Sequence, residues 1–306
     1  MRIVLSGIFY PMAILRYFEK ALRKLERESD GLIEVKTAGP YTGRWIPWNH
    51  GMILSQKYAR PPDIHLPKSA INRPIPFGAV ERRLPWVPDL WIEIDAGFHF
   101  AGRPKTKIHV IVGTDPHVLN YEHQRRQADK FFCMQKVYMK PGDIYLPYAR
   151  DVDWHRPLKG LPALSDAALL GLHYENRNRW VQALREAGLN VEYDLGPVFD
   201  EAQEIYSTTR IGLNWSSLQD LNARAFELMG FGLPVVMNRV PDASEFFEEG
   251  VHYLGFEGLD EAIQQVLLIE EDADLAERLG RAAAEQVETE TWEERVMQIL
   301  EEVGSA

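Results

Sequence analysis

Short apolar runs alternate with amphipathic stretches along most of the chain. The first run, "RIVLSG", reads as a buried strand. Pro11 then opens a helix in which Ile14, Leu15, Phe18, Leu22 and Leu25 recur on one face, with Gly31 just past its end. "LIEVKTA", "LWIEIDA", "KIHVIVG", "KFFCMQ" and "IYLPYA" follow as strands. Their apolar positions hardly alternate, which marks strands covered on both faces, the habit of parallel sheets. Between residues 40 and 88 the pattern breaks down. Nine of the 19 prolines lie there, among Trp45, Trp48, Trp86 and a scatter of Arg and Lys, and a loop of that length in a compact domain is usually functional.

A second series begins after "YARDVDWHRPLKGLPALS", whose proline and turn residues mark a linker. "DAALLGLH" is a strand, "NRNRWVQALREAG" a helix stopped by Gly188, "NVEYDLG" a strand, "DEAQEIYST" a helix and "RIGLNWS" a strand. "LNARAFELMG" is then an apolar helix carrying one carboxylate, Glu227. Gly232 suits a tight turn after it, Pro234 cannot continue it, and "PVVMN" is the next strand. The remainder is helical. This double alternation predicts an α/β fold of two Rossmann-like domains, residues 1–150 and 151–306, facing a cleft. Such sheets bind ligands outside the carboxyl ends of their strands.

With 306 residues, 45% of them hydrophobic and 26% charged, the chain is long enough for two cores. The net charge of −11 conceals a division. Residues 1–150 carry 23 Lys or Arg against 14 Asp or Glu, a balance of +9, while residues 151–306 carry 11 against 31, a balance of −20. One half could meet an anionic partner, or the two lobes could simply attract each other. The single cysteine, Cys133, excludes an intramolecular disulfide framework, suits a reducing, cytoplasmic compartment and reads as a buried structural thiol. The apolar start, "MRIVLSGIFYPMAIL", is not followed by a small-residue cleavage site, and no segment reaches the roughly 18 apolar residues of a membrane span. Gly7 stands alone where a dinucleotide fingerprint needs three glycines. A phosphate-cradling P-loop, an H-E-x-x-H pair and a cysteine zinc pattern are all missing, so neither a cofactor nor a metal is expected.

"YLPYARDVDWHRP", "DAALLGLHYENRNRWVQAL", "IYSTTRIGLNWS", "NARAFELMGFGLPVV", "EFFEEGVHYLGFEGLDEAIQQVL" and "TWEERVMQIL", taken in order, resemble the nucleotide-sugar half of a GT-B glycosyltransferase. The likeness is to the CgeB-like group, within the family 4-like superfamily. It covers about residues 145–300, and its most specific part is N-x-R-x-F-E with G-x-P five residues after the Glu. Over residues 1–140 it is general, an acceptor-side domain with a "TDPH" turn.

The resemblance implies transfer of a hexose from a nucleotide sugar, a UDP-sugar in first place, to a hydroxyl without metal. It makes Glu227 a clamp for the ribose hydroxyls, a task suited to a carboxylate because charge-assisted hydrogen bonds are the stronger ones. The helix starting near Asn222 would turn its free N–H groups and positive dipole end toward the diphosphate. Arg177, or Arg179 two residues on, would neutralise the leaving group. Arg224 is either a second cation or a brace for Glu227, and Gly7 joins the donor-side candidates. Many retaining members carry a second glutamate eight positions before the first, where this chain has Gln219 followed by Asp220, so the stereochemical outcome stays open. An inverting reaction needs a base on the acceptor side. Asp115 is the first candidate and His117 the second, with Asp95 and His99 able to play the same part. The last helix should return toward the N-terminal domain. A sugar- or nucleotide-binding protein without turnover and a nucleotide-sugar epimerase are the alternatives.

The acceptor reading rests on charge. Arg44, Lys57, Arg60, Lys68, Arg73, Arg82 and Arg83 lie among Trp45, Trp48, Tyr58 and Trp86 in the proline-rich stretch. Cations mixed with aromatics suit a nucleic-acid strand, phosphates pairing with the first and unstacked bases with the second. An anionic acceptor is expected. DNA bearing hydroxymethylated pyrimidines is its boldest form and an anionic glycan or protein the milder one. The overall acidity and the lack of a known DNA-binding motif speak against DNA.

Overall fold

The computed structural model describes residues 1–43, 59–71, 73–95, 97–216, 218 and 220–304. The chain divides into two compact units, Met1–Pro147 with Trp292–Ala306, and Tyr148–Thr291. The sequence boundary at 150 therefore shifts to Pro147, and the last helix is counted with the first unit.

The first unit is built on a parallel sheet of β1 (Arg2–Ser6), β2 (Glu34–Pro40), β3 (Ile64–Leu66), β5 (Leu90–Asp95), β7 (Ile108–Gly113), β8 (Lys130–Cys133) and β9 (Ile144–Tyr145). Its order is β3-β2-β1-β5-β7-β8-β9. The small pair β4 (Ile75–Pro76) and β6 (Phe100–Ala101) lies beside it. The order runs outward in both directions from β1, so the switch point of this Rossmann-type sheet is the end of β1. Ile3, Val4 and Leu5 are fully buried there, as an unbroken apolar run requires of a central parallel strand. α1 (Leu15–Glu28) covers one face with Phe18, Ala21 and Leu22. It starts four residues later than Pro11 suggested, because Tyr10 to Ala13 close a separate turn, with the Ala13 N–H on the Tyr10 carbonyl at 3.2 Å. Asp30 and Gly31 both take positive φ to end the helix, the left-handed exit that glycine adopts at no steric cost.

The stretch expected to be one long loop holds more structure than its prolines suggested. β3 extends the sheet, α2 (Gly78–Glu81) buries Val80, and Phe77 packs on Trp91 and Phe100 at ring distances of 4.9 and 4.6 Å. Residues 44–58, with Arg44, Trp45, Trp48, Lys57 and Tyr58, lie outside the described ones. α3 (Glu122–Gln127) precedes β8, and Cys133 is fully buried. α9 (Trp292–Gly304) closes the unit. Trp292 stacks on Tyr17 of α1 at 5.2 Å and 6°, Arg295 Nε donates to the Pro147 carbonyl, and Gln298 Nε2 donates to that of Tyr145.

The second unit has β10 (Ser165–Leu170), β11 (Val191–Asp194), β12 (Thr209–Asn214), β13 (Val235–Asn238) and β14 (Leu254–Phe256) in the parallel order β11-β10-β12-β13-β14. α4 (Glu175–Glu186), α5 (Asp200–Ser207), α6 (Ala223–Gly230), α7 (Leu259–Glu271) and α8 (Ala273–Gln286) accompany them. The core gathers Trp180, Val181, Leu184, Leu213, Val236, Phe256 and Val266. Chain order reverses about β10, so the crevice of this sheet opens where β10 and β12 end.

Candidate functional site

Three segments meet at that crevice. β10 is followed by Gly171 at φ +146°, where an added Cβ would stand 2.1 Å from Arg224 Nη2 and 3.5 Å from Arg177 Nη1. Two guanidiniums thus converge over a glycine that leaves them room. Arg177, buried in the first turn of α4, is oriented by the loops on either side. Nε and Nη2 donate to the Trp215 carbonyl at 2.9 and 2.7 Å, Nη1 donates to Leu172 O at 2.9 Å, and Tyr174 lies under its plane at 4.9 Å. Burial, with the like charge of Arg224 added, pulls its pKa down to about 10. An open pocket of about 210 Å³ is lined here by Tyr174, Glu175, Asn176, Arg177 and Trp215.

α6 supplies the rest. Asn222 is its N-cap residue but its side chain does not cap. Nδ2 donates instead to Asn214 Oδ1 at 3.2 Å, and Asn222 Oδ1 is buried with no partner among the described residues. The first-turn N–H groups therefore have no side-chain cap. Arg224 and Glu227, three apart, share one side of the helix. The Tyr206 hydroxyl feels both: complete burial raises it and Arg224 pulls it back, while it accepts the Leu170 N–H at 3.1 Å. Glu227 keeps 22% of its side chain exposed, and His155 Nε2 stands 3.8 Å from its Oε1. Gly232 turns the chain at φ +69° and, after Pro234, β13 begins. Arg179 points elsewhere, into an exposed ion pair with Glu175 at 2.6 Å. Two residues along a helix is roughly 200° of rotation, so only one of the two arginines can face the crevice.

In the first unit the predicted bases stand beyond the carboxyl ends of strands. Asp115 follows β7 half-buried; its Oδ2 takes the Thr114 hydroxyl at 2.6 Å and its carbonyl closes the turn to Val118 and Leu119. Tyr10, beyond β1, is raised above its ordinary pKa by burial first and by Asp115 second. His117 Nδ1 lies 2.7 Å from Gln135 Oε1. His99 is lowered, mainly by burial, and its ring faces that of His123 at 6.1 Å. Asp95 ends β5.

Residues 150–301 match the profile of the glycosyl transferase-like family. This half of the chain is a glycosyl transferase-like domain. No curated protein matches the sequence. Among solved structures, sucrose-phosphate synthase from Thermosynechococcus elongatus is similar with a TM-score of 0.62 at 14% identity, covering 99% of this chain and 98% of that one. HepE from Anabaena, in complex with UDP and glucose, gives 0.61 at 12%, covering 99% of each. An α-glucosyltransferase in complex with UDP and a DNA 13-mer containing an HMU base gives 0.64 at 11%, covering all of both. At such identities these likenesses establish the fold, the α/β GT-B architecture.

The structure changes the reading of several residues. Gly7 is enclosed by its own fold: a Cβ there would meet Ile94 O at 2.7 Å, and its carbonyl would lie 1.8 Å from a Cβ on Gly39, so close packing of β1 explains the glycine. Trp86 is half-buried against the Val4, Ile8 and Trp91 cluster and donates Nε1 to Glu34 at 2.7 Å, so part of its ring is already packed. Arg60, Lys68 and Arg73 are exposed, and the Arg60 carbonyl is taken by Arg16. Gln219 lies outside the described residues, while Asp220 is buried and accepts from Ser216 Oγ at 2.6 Å. Among the described residues, no three His, Cys, Asp or Glu side chains gather as a metal site, and no helix is long and apolar enough to cross a membrane. Gly171, Tyr206, Asn214 and His155 were not singled out by the sequence. Only "LLGLH", a glycine ending an apolar strand, carried a signal.

Proposed function

We propose that the protein transfers a hexosyl group from a UDP-sugar to a hydroxyl of an anionic acceptor. The observation that carries this reading is the convergence of Arg177 and Arg224 over Gly171 at the switch point of the second sheet, with Glu227 one turn further along α6. Like charges in a buried place oppose each other until an anion comes between them. A diphosphate fits that need, and the uncapped start of α6 adds N–H donors to the same anion. Glu227 then accepts from the ribose hydroxyls. UDP in the complexes of HepE and the α-glucosyltransferase supports uracil as the base.

As the bond from the sugar's anomeric carbon to the diphosphate oxygen breaks, charge grows on the leaving group, and the fixed guanidiniums offset it. Arg177 is held by two carbonyls, so it needs little reorganisation. These cations do the work a divalent ion does elsewhere, and turnover in EDTA should be unchanged. The acceptor hydroxyl forms the new bond and gives up its proton to a base, for which Asp115 is the first candidate if the reaction inverts and His117 the second. The exposed Arg60, Lys68 and Arg73 and the +9 balance of residues 1–150 support an anionic acceptor, and the DNA bound to the α-glucosyltransferase supports hydroxymethylated DNA as its first form.

The test is a panel of UDP- and GDP-sugars scored for nucleotide release, with and without duplex DNA carrying hydroxymethylated pyrimidines. UDP release that rises with modified but not plain DNA is expected. Release unaffected by any anionic acceptor removes that acceptor class. The absence of both release and thermal stabilisation with every nucleotide sugar removes the donor.

A further inference from the structure

His155 belongs to the "DVDWHRP" stretch, read from sequence as a linker. The structure shows a built turn. The Asp151 carbonyl takes the His155 N–H at 2.9 Å, and Asp151 Oδ1 takes the N–H groups of Asp153 and Trp154 at 2.9 and 3.0 Å. Asp151 N–H donates back to His155 Nδ1 at 2.9 Å. Gln203 of α5 donates Nε2 to the carbonyls of Asp153 and Arg156, both at 3.0 Å. On the α6 side contact is so close that a Cβ on Gly230 would lie 2.6 Å from His155 O. The side chain, 8% exposed, is thereby fixed in place and in tautomer. With Nδ1 accepting a backbone N–H, the proton of the neutral ring sits on Nε2. That N–H is the atom standing 3.8 Å from Glu227 Oε1.

We infer that His155 is a positioning residue for the donor: its Nε2–H holds one oxygen of Glu227, leaving the other aimed at the ribose. This rests on the reading of Glu227 as the ribose clamp. The 3.8 Å separation is longer than a hydrogen bond, and a small rotation of the Glu227 side chain closes it. A carboxylate with one anchored oxygen has fewer orientations to lose on binding, so the anchor acts through preorganisation.

Two variants separate the ring's two nitrogens. His155→Asn keeps an oxygen where Nδ1 accepts the Asp151 N–H but has nothing that reaches Glu227. His155→Gln places an amide N–H near the Nε2 position. Each is measured by calorimetry against UDP and against 2′,3′-dideoxy-UDP, with melting temperature as the check on folding. Wild type is expected to bind UDP more tightly than the dideoxy analogue. His155→Asn is expected to lose about tenfold in UDP affinity, of the order of one hydrogen bond to a charged group, with dideoxy-UDP unchanged, and His155→Gln to recover most of the loss. A His155→Asn variant that still discriminates like wild type overturns the role of His155 alone. So does an equal loss with both nucleotides, which is structural damage, or a Gln variant no better than Asn. A wild type that binds both nucleotides equally, or neither, overturns the clamp and this inference together.

Discussion

The two sheets finish differently at their carboxyl ends. At or beyond the ends of β1, β7 and β8 of the first unit, polar side chains have partners close by: the Thr114 hydroxyl on Asp115, Gln135 beside His117, and Trp91 Nε1 donating to Ser6 Oγ at 2.9 Å. Beyond β10 and β12 of the second, two cations crowd one another, a buried amide oxygen has no partner among the described residues, and a helix begins uncapped. Burying charge of one sign is costly, and a fold that keeps such an arrangement has a reason beyond stability. At these strand ends the first unit's Thr114, Gln135 and Ser6 are paired with neighbours. The second presents two converging cations and an uncapped helix start, an arrangement suited to an anion.

The strongest way to break this contrast is Gly171→Ala. The new Cβ would collide with Arg224 Nη2, and φ +146° disfavours any side chain, so the guanidinium pair must open. Turnover should fall by more than about a hundredfold, the scale of a lost preorganised charge, and UDP should no longer raise the melting temperature. Turnover within a few-fold of wild type would show that the pairing is incidental.

Arg177→Lys comes next. One ammonium cannot hold both Trp215 O and Leu172 O while meeting a phosphate, so turnover should drop by about a hundredfold with a smaller change in UDP affinity. Arg179→Ala, in an exposed pair, should behave as wild type. The reverse ranking would mean that α4 presents the other arginine.

Glu227→Ala should weaken UDP by roughly 1.5–3 kcal/mol, the value of hydrogen bonds to a charged group, with the melting temperature nearly kept because the side chain is partly exposed. Unchanged affinity in calorimetry would remove the clamp.

The smallest effect sharpens the other side. In the first unit, burial pushes Asp63 up, but the Thr37 N–H, Arg23 and the Thr37 hydroxyl outweigh it and hold its carboxyl below the usual range. A carboxyl depressed on folding stabilises above its unfolded pKa, and that contribution is lost as pH falls through the folded value. Asp63→Asn should therefore be less stable than wild type near neutrality by about 1 kcal/mol, discounted for its exposure. The gap should close in denaturant titrations as pH drops through the carboxylate range. A gap independent of pH would assign the loss to geometry.

Much of the fold was legible because parallel strands are apolar without interruption. "RIVLSG", "KIHVIVG" and "RIGLNWS" each coincide with a strand that is mostly buried. The α6 turn was legible because Gly232 can take the positive φ that the turn needs and Pro234 cannot continue a helix. β3 was not: three residues at a sheet edge are too few to show a period. Pro11 misled because a proline opening a helix and one closing a separate turn before it have the same sequence signature. At the site, Glu227 stood out by its apolar surroundings, whereas Gly171, Tyr206 and His155 become partners of α6 only when segments far apart in sequence meet. The bond of Trp86 to Glu34, 52 residues away, likewise leaves no trace in local pattern.

The stacking of Trp292 on Tyr17 also carries a consequence for how the protein is made. A ribosome delivers Tyr17 and Phe18 early and Trp292 only after the whole of Tyr148–Thr291 has emerged. Domains fold as units during synthesis, at about 5–20 residues per second. The second unit, continuous in sequence, can thus finish folding while the first still waits with an aromatic face uncovered, an interval in which the nascent chain is open to chaperones.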